Sequence, residues 1–205
     1  MYKKIILLFL VFLFSINSFS QNKKRKVFNA IYSEVISTNF RNKPCIIAVD
    51  KTTNNTEISK QNFNDVALSF TNKRLGTQVY GLDSSWIDVL TKVDKKKQEL
   101  TSYNIRNLKV PGFAVLLVRN DSAVHLGSEA VAYDASGPPP PPQKYWIDSR
   151  INLSGVLLFK KKAIVGFNRF SGVLDGEGVI YFLEKKKRKG KKKWQVVGVL
   201  RGWVA

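Results

Sequence analysis

The chain has 205 residues, with 34 Lys and Arg set against 15 Asp and Glu, a formal charge of +19 at neutral pH. Apolar residues make up 44% and aromatic residues 12%, which excludes a disordered polar tail and predicts a folded core. One cysteine and one histidine exclude an internal disulfide framework and a Cys/His zinc cluster, so no metal and no cofactor is expected.

Lys3 and Lys4 precede ten consecutive apolar residues, Ile5 to Phe14, and the small Ser18 and Ser20 stand just before Gln21. A membrane-spanning helix needs about 20 apolar residues. The pattern is therefore that of a secretory signal peptide, residues 1–20, cut between Ser20 and Gln21. An uncleaved N-terminal anchor is the alternative. The expected product is exported, periplasmic or extracellular, with no transmembrane segment after cleavage. Residues 21–205 are enough for a single α+β domain.

The mature chain opens on a basic run, Lys23–Lys26. Val27, Ile31 and Val35, with Phe28, Tyr32 and Ile36 beside them, form the wide apolar stripe of an amphipathic helix. After Pro44, Cys45–Asp50 is short, continuous and β-branched, as in a buried strand, with Cys45 a small hydrophobe. A polar loop leads to Ser59–Phe70, read as a short helix capped by Ser59. Asp83–Leu100 is a second helix, capped by Ser84, with Trp86, Leu90, Val93 and Leu100 on one side. Lys95–Lys97 suit the negative end of its dipole. Pro111-Gly112 starts a central strand, Phe113–Arg119. Residues 120–143 are loop-forming and end in five prolines, Pro138–Pro142, an extended spacer inside the domain.

From Ile151 the pattern becomes four short strands: Ile151–Phe159, Ala163–Phe170, Gly176–Glu184 and Trp194–Ala205. Brief connections predict an antiparallel meander. The last strand carries Trp194, Val196 and Leu200 on one face and Val197, Val199 and Trp203 on the other, so it belongs inside the sheet. The fold class expected is α+β, with N-terminal helices and one or two strands packed on a C-terminal four-stranded antiparallel meander.

Ser154-Gly155 before an apolar strand, Phe159, Ala163–Val165, "SGVLDGEGVIYFLEKK", Trp194 in "KKKWQVV" and the terminal "GWVA" together resemble a group of uncharacterised exported bacterial proteins. The likeness covers about residues 151–205. It departs at Val173–Asp175, where many of those proteins carry a pair of cysteines, and in the lysine-swollen final hairpin. The resemblance implies architecture and export rather than chemistry.

Catalytic patterns are sparse. His125 has Asp121 and Ser122 as sequence neighbours, but a triad assembles from separate parts of a fold. Ser85 and Ser154 lack a nucleophile-elbow context. Asp175 and Glu177 lie on a glycine turn without the oxygen set calcium needs. Nothing points to an enzyme. A small envelope hydrolase using two carboxylates in an unidentified cleft is the alternative.

The strongest local signal is Lys185, Lys186, Lys187, Arg188, Lys189, Lys191, Lys192 and Lys193, interrupted by Gly190. Placed between two strands, the block reads first as a charged hairpin tip and second as a contact for polyanions. Lysine dominates, which suits diffuse attraction to an anionic polymer, a membrane surface or an acidic protein, and not sequence-specific nucleic-acid readout. The function expected is an exported, non-catalytic binding or structural module of the bacterial cell envelope.

Overall fold

Helices cover both faces of one sheet, and the strand residues sort accordingly. The computed structural model describes residues 2–40, 46–72, 79–122, 124, 126, 147–172, 175–188 and 190–204. The strands are β1 (Ile46–Asp50), β2 (Val79–Tyr80), β3 (Ala114–Val118), β4 (Ile147–Leu153), β5 (Leu157–Phe159), β6 (Lys162–Phe170), β7 (Gly176–Arg188) and β8 (Lys191–Val204). They form an eight-stranded mixed sheet in the order β2-β8-β7-β6-β4-β1-β3, with β5 folded back on β6. The helices are α1 (Tyr2–Asn39), α2 (Thr56–Lys60), α3 (Phe63–Asn72) and α4 (Ile87–Lys96). The fold is α+β.

The apolar stripe of α1 lies on one face. Ile31, Tyr32, Val35 and Ile36 are fully buried against Ile47, Val49, Ile151, Val165, Phe167 and Leu183. The Tyr32 hydroxyl donates to the Ser154 carbonyl oxygen at 2.9 Å, and the Tyr181 hydroxyl donates to Asn39 Oδ1 at 2.7 Å. Among residues whose side chains are described, core packing begins at Val27. On the opposite face Ile58, Phe63, Val66, Trp86, Leu90 and Val93 bring α2, α3 and α4 onto Leu157, Ile164, Ile180, Phe182 and Leu200. Two covered faces explain why the strands are rich in continuous apolar runs.

Several expectations are refined by what the chain does locally. The antiparallel run β4-β6-β7-β8 sits within a sheet larger than the expected four-stranded unit, because β1 and β3 extend it in parallel and β2 closes the far edge. Ile151–Phe159 is two strands. Ser154 breaks the run: its Oγ accepts from the Gly166 amide at 2.7 Å, while the Gly155 amide donates to Asn55 Oδ1 at 2.8 Å. Phe113–Arg119 is an edge strand that, among the described residues, pairs with β1 alone, with Leu116 45% exposed; a short apolar run reads alike at an edge or a centre. Ser59–Phe70 divides at Gln61-Asn62 into α2 and α3. Asp94 of α4, remote in sequence, accepts from the Asn64 amide at 2.9 Å at the start of α3. Asp83, not Ser84, caps the next segment by accepting from the Ser85 amide at 2.9 Å.

The face assignment of β8 also changes, and register gives the reason. Phe182 pairs with Gly198 and Leu183 with Val196, leaving Val197 unpaired; Gly178 pairs with Trp203 and Val179 with Arg201, leaving Gly202 unpaired. Each bulge reverses the alternation. Val199 therefore joins Trp194 and Val196 on the α1 face, while Val197 and Leu200 face the other helices. Trp203 lies across Gly178 and Gly176, where a Cβ would collide with the indole ring. Its Nε1 donates to Glu57 Oε1 at 3.0 Å. The "GEG" glycines are the slot that receives a tryptophan.

Two outcomes follow. Gly178→Ala forces a methyl into the Trp203 indole and should destabilise the fold by about 1–3 kcal/mol, measured by chemical denaturation. Burial pushes the Tyr181 hydroxyl up to about 12. The folded state therefore holds this proton after the unfolded chain has lost it. The associated stability is complete below pH 10 and falls as pH rises towards 12, by on the order of 2 kcal/mol. Tyr181→Phe should flatten that part of the alkaline unfolding profile relative to the parent protein.

Candidate functional site: the basic end of the sheet

The lysine block is not a loop. β7 runs to Arg188 and β8 starts at Lys191, so the ladder continues through Lys185–Trp194, Lys186–Lys193, Lys187–Lys192 and Arg188–Lys191. Gly190, at φ +77°, serves the turn with nothing within 4 Å of the position a Cβ would take. Lys189 lies outside the described residues. Directly opposed positions share a face, so Lys185, Lys187, Lys192 and Trp194 fall on the α1 side, and Lys186 and Lys193 on the other. Like charges facing one another destabilise a ladder.

Phe182 is fully buried and Trp194 only 6% exposed, so both aromatics anchor the ribbon in the core. At the ribbon's base Glu184 accepts from Trp86 Nε1 at 3.0 Å and lies 3.1 Å from Lys186 Nζ and 3.7 Å from Lys162 Nζ. Lys185 Nζ stands 5.9 Å from the Trp194 ring centroid. Beyond that base, Lys187, Lys191, Lys192 and Lys193 have no carboxylate partner among the described residues. Hydrogen bonds from Ser85 hold the Asp83 carboxyl below the usual carboxylate range, and the charges of Lys162 and Lys186 add to them.

Three other basic runs lie near the ribbon, one against it and the other two in succession beyond that one, and sequence spacing does not reveal them as neighbours. The Lys185 amide donates to the Lys161 carbonyl at 2.8 Å, which places the Lys160–Lys162 turn beside the ladder. Lys96 Nζ donates to the Leu158 carbonyl at 2.6 Å and stands over the Phe159 ring, bringing the Lys95–Lys97 run to the same turn. Lys24 lines a cavity with Lys96 and Leu158, which places Lys23–Lys26 there too. Eighteen of the chain's 34 lysines and arginines belong to these four runs. The signal that could have found them is topological: the start of β6, the end of α4 and the middle turns of α1 all lie at one end of the sheet.

A second polar group lies on the α2 face, across the middle of the sheet. Asp50, 5% exposed, accepts from Arg150 Nε and Nη2 at 2.9 and 2.7 Å through Oδ1, and from Asn152 Nδ2 at 3.0 Å through Oδ2. Asn152 stands opposite Asn168 in the β4–β6 ladder. The Oδ1 atoms of both asparagines are buried without a donor among the described residues. Asp50 is committed to an ion pair and Glu57 to the Trp203 indole, so these carboxylates are structural acceptors, not a free acid–base couple. Among the described residues no group of three or more His, Cys, Asp or Glu is placed to hold a metal ion, and no helix is long and apolar enough to cross a membrane. Cys45 and His125 lie outside the described residues.

Comparison with protein-family models, curated proteins and solved structures gave no match. The fold and this surface define an α+β protein with a strongly basic end, and the surface carries the functional argument.

If the ladder stores like-charge repulsion, an opposite charge should relieve it. Lys192→Glu places a carboxylate directly across from Lys187 and should stabilise the protein by about 0.2–1 kcal/mol at low salt. The gain should shrink as salt is added. Thermal unfolding at two ionic strengths checks both points.

Proposed function

We propose that this is an exported, non-catalytic binding module of the bacterial cell envelope that holds anionic polymers or surfaces at its basic end. The observation that carries the reading is the convergence of four lysine-rich runs on one end of the sheet, with most of the ribbon's charges lacking a carboxylate partner among the described residues. Cation density at this level raises the local concentration of polyanions and speeds their encounter. Lysine ammonium groups on a two-stranded ribbon attract charge without fixing a base sequence or a planar ligand. Export is supported by the signal-like first twenty residues and by the resemblance of the C-terminal strands to exported proteins.

The test compares residues 21–205 with a variant carrying Lys187→Ser, Arg188→Ser, Lys189→Ser, Lys191→Ser and Lys192→Ser. These positions lie beyond Glu184 and the buried aromatics, so the variant should fold, as circular dichroism would verify. Binding to double-stranded DNA, used as a uniform polyanion, is titrated with salt. The parent should show a steep fall of log affinity with log salt. The slope should flatten by roughly 0.9 for each phosphate that the variant no longer neutralises. Equal slopes in the two proteins would refute the ribbon's role.

A further inference from the structure

Two cavities adjoin the middle of α1 and share Lys24 and Tyr103. One, of about 290 Å³, has an apolar floor that includes Phe28, Tyr103, Val156 and Leu158, with Lys24, Lys96 and Glu99 among its lining residues. The other, of about 480 Å³, is lined by Lys24, Arg25 and Arg106 together with Tyr103 and three uncharged polar residues, and by no carboxylate among the described residues. Phe28 and Tyr103 meet edge to face at 5.1 Å, and Lys24 Nζ lies 5.3 Å from the Phe28 ring centroid. An apolar trough and a group of three cations thus lie side by side, sharing Lys24 and Tyr103.

We propose that this pair of cavities binds an anionic amphiphile of the phospholipid class, with the phosphate among Lys24, Arg25 and Arg106 and an acyl chain along Phe28, Tyr103, Val156 and Leu158. The inference rests on the polyanion reading, because it takes the basic end to be the surface where anionic ligands gather. It goes further in selecting the ligand. Charge complementarity assigns the two ends: Glu99, the one carboxylate that lines either cavity among the described residues, belongs to the apolar one, so an anionic headgroup is drawn to the other. Arginine supplies the forked donors that match phosphate oxygens. The volumes fall in the range of small-molecule sites, which pair an apolar lining with a few placed polar groups. A purely soluble polyanion, such as DNA, would use the ribbon and leave the apolar floor uncovered.

Isothermal calorimetry with residues 21–205 would compare inorganic phosphate, octyl phosphate and decyl phosphate, each below its micelle-forming concentration. The expected result is weak binding of inorganic phosphate and a gain of about fourfold for each methylene added, the effect of burying a CH₂ group. Lys24→Ser should weaken both alkyl phosphates. Thr101→Trp, an exposed position on the lining of the apolar cavity, should abolish the chain-length dependence while leaving the DNA salt slope intact. Affinity independent of chain length in the parent protein would overturn the proposal without needing any variant. So would an undiminished chain-length effect in a folded Thr101→Trp. Loss of DNA binding in the parent would instead defeat the polyanion reading, and the two failures are separate measurements.

Discussion

The β7–β8 ladder is the interaction on which the rest of the structure depends. It runs from Glu177–Val204 to Arg188–Lys191, and nothing else in the sheet has its length. Its middle supplies Tyr181, Phe182 and Leu183 to the two cores, so α1 on one side and α4 on the other both pack against the same pair of strands. Its outer part continues past Trp194 with no core to cover it. Core and basic ribbon are one element, and the buried aromatics hold the exposed lysines in place.

Two bulges make that shared element possible. A strand with strict alternation would send Leu200 to the α1 face; the first bulge turns it to the other helices, and the second restores the original phase, so Trp203 meets the glycine slot. By leaving Val197 and Gly202 unpaired, β8 changes face twice and serves both cores before ending on Gly178. A bulge also increases local twist. The cost is an interrupted ladder, which the long antiparallel pairing on either side of each bulge sustains.

Much of this was legible in the residues. The stripe Val27–Ile36, the hairpin strands Gly176–Glu184 and Trp194–Val204, and the buried run after Pro44 are periodic or continuous apolar patterns, and these translate directly into packing. Edges and breaks were not legible. β3 reads like a central strand because sequence does not specify neighbours, and the stop at Ser154 depends on Gly166 and Asn55, far away in the chain. The candidate site was half visible: Lys185–Lys193 stands out as a run, whereas Lys95–Lys97 reads as an ordinary helix end. Its link to the others is a single amine on the Leu158 carbonyl, a contact fixed only by the tertiary fold.

Opposed lysines along a ladder make a ribbon whose own charges push its strands apart. A bound polyanion would place negative groups between them, reducing the same repulsion that salt reduces. Ligand and ribbon are then thermodynamically linked: whatever binds there also stabilises the paired form, by mass action. On the proposed function, the outer ladder would be a part of the fold whose counterion is its ligand, and its stiffness would depend on what it binds.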